Sequence, residues 1–160
     1  MKRKIPSLSK AGCLARQYIL AEIIKRNGLD SVLITNPKLV HYFTGFWGRS
    51  IMSPVFWMNA QNQTILSIPY QANNLFADDI IIYPSNRMGT LDDQQLYLAI
   101  EPVLKNLLST EKIGFNEYVP GKYRSQFSWS DVSVDLLKMR RKKQPDEIGL
   151  ISFAIEACEH

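Results

Sequence analysis

Histidine and cysteine are scarce, with two of each among 160 residues. Cys13 and Cys158 sit near opposite ends, so the chain has neither a disulfide framework nor the four ligands of a structural zinc site. His41 and His160 stand far apart, and no His-x-x-x-His, His-Glu-x-x-His or Cys-x-x-Cys spacing occurs. His41, beside Tyr42 and Phe43, reads as a packed or hydrogen-bonded histidine rather than a ligand. There is no Gly-x-Ser-x-Gly, the strained turn that would present a nucleophilic serine. The eight glycines are dispersed, so no backbone cradle for phosphate forms. No apolar run approaches the ~18 residues of a membrane span. Internal repeats and low-complexity tracts are also missing.

What remains is an ordinary globular composition: 46% hydrophobic, 21% charged, and long enough for one domain with a real core. The basic start at residues 1–4 has no apolar segment behind it, because Arg16, Gln17, Glu22 and Lys25 interrupt the next stretch. Ala11-Gly12-Cys13 follows polar residues, which argues against a lipoprotein cleavage site. A cytoplasmic protein is expected. Much of the formal charge of +4 lies in residues 138–143, a run read as a solvated face. Neither nucleic acid nor a membrane is expected as a partner.

Hydrophobic periodicity predicts a first helix over 10–27, with Cys13, Leu20, Ile23 and Ile24 inward and Gly28 as the stop. Residues 31–35 read as a strand covered on both faces, ended by Asn36-Pro37, with a helical turn over 38–42. The runs 54–59 and 63–68 flank a short polar break and predict a hairpin. A short helix is expected over 70–76 and a buried central strand over 79–83. Thr90, with Asp92 and Asp93 in the first turn, caps a helix whose inner face is Leu96, Ile100, Val103, Leu104 and Leu107. A strand follows over 112–115, then a turn over 123–127. Val132 and Val134 mark a last strand, and residues 136–141 are helical or extended. Pro145 is a good first helical residue, with Asp146 and Glu147 behind it. The stripe Ile151, Ala154, Ile155, Cys158 is still running at His160, as expected of a cut inside a larger protein, and packing is the reading for Cys158. Early antiparallel pairing followed by strand–helix alternation predicts an α/β domain with one mixed sheet flanked by helices. Strands 32–35, 80–82 and 113–115 are expected at its centre.

Adjacent Asp78 and Asp79 on a strand point to opposite faces and do not share a proton or metal. Residues 43–50 crowd aromatics, two glycines and Arg49 into one loop. Such a loop either projects an aromatic wall and a cation toward a ligand or partner, or tucks onto the sheet with Arg49 at the rim. Composition does not choose between them.

Two stretches together resemble a known family. Residues 28–37 (GLDSVLITNP) followed by 41–46 (HYFTGF) are similar to the signature of creatinase/prolidase N-terminal domains. Residues 136–148 (LLKMRRKKQPDEI) resemble that family's junction, with Arg140, Lys143, Pro145, Glu147 and Ile148 in register. The resemblance implies a ribonuclease H-like domain over 1–143 and a linker helix over 144–160 leading into a C-terminal catalytic domain. It further implies an Xaa-Pro dipeptidase or aminopeptidase as parent, using two divalent metals, often manganese, held by that other domain. This chain would hold no catalytic residue and no metal. It would meet its own catalytic domain and form a homodimer, touching the partner subunit's substrate through Phe46, Trp47 and Arg49. Gly48-Arg49 is closer to the creatinase-type loop, which keeps a creatinase-like C–N hydrolase open as parent. An autonomous ligand- or nucleic-acid-binding module of ribonuclease H-like shape is the remaining alternative.

Overall fold

The computed structural model describes residues 6–48, 52–85 and 92–159. The elements run α1 (Lys10–Arg26), β1 (Ser31–Ile34), α2 (Pro37–Thr44), β2 (Val55–Asn59), β3 (Thr64–Ile68), β4 (Asp79–Ile82), α3 (Asp92–Leu104), β5 (Lys112–Phe115), α4 (Gly121–Arg124), β6 (Ser128–Asp131), α5 (Ser133–Met139) and α6 (Pro145–Cys158). The strands form one mixed sheet in the order β4-β3-β2-β1-β5-β6. β1, β2 and β3 make an antiparallel meander, while β5 runs parallel to β1, β6 to β5 and β4 to β3. This is the expected α/β architecture.

The sheet splits the core in two because alternate residues on a strand face opposite sides. Val32, Ile34, Phe56, Met58, Leu66 and Ile68 pack on one side with Leu20 and Ile24 of α1, Val40 and Phe43 of α2 and Leu136 of α5. Leu33, Val55 and Trp57 face the other side, under Leu96, Ile100, Val103 and Leu104 of α3 and Tyr123 of α4. Leu107 packs against that second cluster from just beyond the helix. Strands covered on both faces must be apolar throughout, which explains the uninterrupted burial of β1. In the β2–β3 hairpin, the Asn59 carboxamide oxygen accepts from the backbone N–H groups of Gln61 and Gln63.

Four expectations are corrected. Residues 70–76 form no helix, because the Phe76 N–H donates to the Thr44 carbonyl and the Gln17 amide donates to the Phe76 carbonyl, pinning the segment across α1 and α2. β4 is an edge strand rather than a central one, with Ile80 and Ile82 42% and 49% exposed. The last strand is Ser128–Asp131, not the valine pair: the Asp131 carboxylate accepts from the Ser133 N–H and turns the chain into α5, leaving Val134 exposed. Cys158 is exposed rather than packed, since the apolar stripe of α6 is open, with Ile151 and Ile155 exposed as well. Thr90 lies outside the described residues, as do the side chains of Asp92 and Asp93.

Candidate functional site

α2 builds the loop that the sequence singles out. Asn36 caps it, its side-chain oxygen accepting from the N–H groups of Lys38 and Leu39, and Pro37 occupies the first turn. Gly45 ends it in a left-handed conformation (φ 77°), its N–H donating to the His41 carbonyl at 2.8 Å. A Cβ there would lie 3.2 Å from the Asn74 carbonyl oxygen and from the Phe76 ring, so the position favours glycine twice over. The Thr44 hydroxyl donates back to the Val40 carbonyl and accepts from the Phe46 N–H, which fixes the direction in which the chain leaves the helix.

That exit separates the two aromatics. Phe46 turns inward, 1% exposed, against the Tyr70 ring. Trp47 stands out, 67% exposed, with its ring edge-on to His41 at 5.1 Å. Burial pushes the His41 imidazole below its ordinary pKa, over the opposing effect of backbone contacts at Gly45 and Phe46. Trp47, Lys38, Met52 and Tyr70 line an open groove of about 740 Å³ beside the start of α2. Among the described residues its lining offers the Trp47 and Tyr70 rings and the Lys38 ammonium. Arg49 lies outside the described residues. The residues expected to act together thus divide into a core anchor, Phe46, and an exposed wall, Trp47.

A second constellation escaped the sequence reading. Arg16, taken as a polar interruption of α1, is 0% exposed. Its guanidinium donates from Nε to the Tyr42 carbonyl at 2.7 Å and sits 4.7 Å from the centre of the Tyr42 ring. Its two terminal nitrogens donate to the two Asp146 carboxylate oxygens at 2.9 and 3.0 Å. Asp146 also accepts from the Ser9 N–H, and Ser9 caps α1. The entry to α6 is therefore bolted to the start of α1. Nothing in either segment alone announces a pairing across 130 positions.

Asp78 and residues 138–143 are the other stretches that the sequence singles out. The Asp78 carboxylate accepts from the Thr64 N–H and hydroxyl and ties the start of β3 to the approach to β4. Residues 138–143 run from the end of α5 into the following turn, mostly exposed, with Arg140 5.9 Å from the Tyr42 ring centre. Among the described residues no three His, Cys, Asp or Glu side chains converge as metal ligands. No described helix is long and apolar enough to cross a membrane.

The family model described as Creatinase/Prolidase N-terminal domain matches residues 16–141. No curated protein matches the chain. Among solved structures, a proline dipeptidase from Streptococcus pneumoniae TIGR4 is similar with a TM-score of 0.58 and 15% identity, covering 79% of this chain and 98% of that one. An aminopeptidase P, an Xaa-Pro aminopeptidase, from Streptococcus thermophilus gives 0.54 and 17%, covering 80% and 98%. The prolidase from Pyrococcus furiosus gives 0.58 and 14%; 80% of this chain aligns with 36% of that one. At these identities the likeness is one of fold.

Proposed function

The chain belongs to the Creatinase/Prolidase N-terminal domain family, and from that premise we propose that it is the non-catalytic N-terminal domain of an Xaa-Pro dipeptidase or aminopeptidase-type metallopeptidase. Its work there is to contact a second subunit and to narrow that subunit's active site. The observation that carries this reading is the division of the loop after α2. Phe46 is locked in the core, and the next residue, Trp47, is held out over a groove with 67% of its surface exposed. A large aromatic held out on an anchored loop is suited to exclude water from a neighbouring site and to grip an apolar ligand. Arg49, two residues on, would add a planar cation able to pair bidentately with a substrate carboxylate.

In this reading the divalent metals and their Asp, His and Glu ligands belong to a catalytic domain that follows α6. The apolar residues Ile151 and Ile155, 46% and 55% exposed, are then the surface on which that domain rests. This chain's own residues would bind and orient substrate rather than carry out chemistry.

The test separates where the chemistry resides from what the loop does. The purified 160-residue chain should hydrolyse neither Xaa-Pro dipeptides nor creatine, with or without manganese. The whole protein containing it should hydrolyse Xaa-Pro peptides, with kcat/KM reduced roughly ten- to a hundred-fold by Arg49→Ala, the loss of one charge-assisted contact. Turnover by the isolated chain would overturn the domain assignment. Unchanged efficiency in Arg49→Ala and Trp47→Ala would overturn the role of the loop.

A further inference from the structure

Asn36 and Lys38, which line the Trp47 groove, also line a smaller cleft of about 360 Å³. It opens where two adjacent parallel strands end. Thr35 follows β1 and Asn116 follows β5, and the carboxyl ends of parallel strands are where open α/β sheets gather their ligands. Lys38 at the start of α2, Asn116, Glu117, and Leu136, Leu137 and Arg140 of α5 and its end line the cleft.

Asn116 is 2% exposed, and only half of its carboxamide is used. Oδ1 accepts from the Thr35 N–H at 3.1 Å, whereas Nδ2 is buried with no acceptor. A buried N–H with no partner is costly, so an oxygen brought within reach of Nδ2 would relieve that cost. Lys38 and Arg140 bring two positive charges, and neither forms an ion pair among the described residues. Glu117 is the opposing charge. One of its oxygens accepts from the Asn36 side-chain amide, and among the described residues it forms no ion pair with either cation. Leu137, 61% exposed, supplies an apolar wall.

We propose that this cleft binds a free α-amino acid with an apolar side chain. The ligand carboxylate would lie toward Lys38, Arg140 and Asn116 Nδ2, its ammonium toward Glu117, and its side chain on the leucines. A simple anion leaves Glu117 unanswered, and a simple cation leaves two positive charges and an amide donor unanswered; a zwitterion matches all of them. The volume sits at the low end of small-ligand sites, as suits a molecule of this size. The proposal does not rest on the peptidase reading, since it uses none of the Trp47 loop.

The experiment is a titration of the ¹⁵N-labelled 160-residue chain with L-leucine, following the Asn116 side-chain amide and neighbouring backbone signals. Saturable shifts are expected. L-leucinamide, which lacks the carboxylate, and 4-methylpentanoate, which lacks the ammonium, should each bind at least about ten-fold more weakly. Lys38→Ala and Glu117→Gln, both at exposed positions, should each weaken leucine by a similar factor. Asn116→Asp should abolish binding, since it keeps an acceptor for the Thr35 N–H while removing the donor. Failure to saturate by about 20 mM overturns the proposal. So does equal binding of either analogue, or wild-type affinity in Lys38→Ala and Glu117→Gln.

Discussion

Asp146 holds Arg16 through both prongs of its guanidinium, at 2.9 and 3.0 Å, in a contact from which solvent is almost wholly excluded. The pair joins the first turn of α6 to α1, and Tyr42 closes it from α2 through its carbonyl and its ring. Burial works against both charges. The mutual contact outweighs it, so Arg16 sits above its ordinary pKa and Asp146 below. This pair ties the start of α6 to the body of the domain.

Breaking the pair should be costly, because the surviving partner keeps its burial and loses its counter-charge. Arg16→Ala is expected to destabilise the chain by about 3–5 kcal/mol in urea denaturation. Arg16→Lys should recover only part of this, since a point charge cannot match both carboxylate oxygens. A loss under about 1 kcal/mol for Arg16→Ala would place the pair among ordinary surface bridges.

The same pair sets an acid limb. Asp146 has a depressed folded-state pKa, below its ordinary value of 3.8. A depressed carboxylate contributes stability that is present above the unfolded pKa and lost as pH falls through the folded one. Melting temperature should therefore fall below about pH 4 in wild type. In Asp146→Asn that part of the fall should be missing, from a lower starting stability. Parallel acid limbs in the two proteins would show that other carboxylates govern the decline.

Gly12 shows the clamp from the opposite side. A Cβ at this position would lie 2.1 Å from an Asp146 carboxylate oxygen. Alanine is the better helix former by about 1 kcal/mol, so propensity alone predicts that Gly12→Ala stabilises α1. The clash predicts the reverse. Gly12→Ala should destabilise wild type and become neutral or favourable in an Asp146→Ala background, a coupling that a double-mutant cycle reads directly. Additive effects would mean that Asp146 does not occupy that space.

How much of this was legible in the sequence depends on range. The stripe of Leu20 and Ile24, the Asn36-Pro37 cap and the Pro145 helix start rest on neighbours a few positions away, and each takes the place expected of it. The 80–82 isoleucine run misled, because an apolar strand records its composition and not its rank in the sheet, and β4 ended at the edge. Arg16 misled for a deeper reason. A charged residue reads as solvent-facing unless its counter-charge is known, and that counter-charge comes from the far end of the chain. The Trp47 loop was legible as an unusual composition, but which ring turns inward is decided by Gly45 and Thr44. The Asn116 cleft had no signal, since it depends on the ends of two strands meeting.

The two cysteines should report the fold by their reactivity. Cys13 is buried, and burial pushes its thiol up despite the Arg16 contact, so little reactive thiolate is present at pH 7–8. Cys158 is exposed on α6. A maleimide should label one site rapidly, identified as Cys158 by mass spectrometry, and Cys13 only under denaturing conditions. Equal rates at the two sites in native buffer would contradict the packing of α1 on α2.

Adjacent aromatics with opposite fates give the sharpest test of the loop. Phe46 is packed in the core beside Tyr70, so Phe46→Ala removes a filled volume and should cost about 3–5 kcal/mol. Trp47 is mostly in solvent and gives up only its edge contact with His41, so Trp47→Ala should stay within about 1 kcal/mol of wild type. That asymmetry is what permits a functional measurement, because the Trp47 variant keeps its fold while losing the projecting ring. In the whole protein, Trp47→Ala should lower kcat/KM for Xaa-Pro substrates, and Trp47→Phe should restore part of it by replacing the aromatic wall. Were Trp47→Ala to unfold the domain as Phe46→Ala does, the loop would be a packing element. Were it to leave both stability and efficiency untouched, the exposed ring would need another partner than substrate.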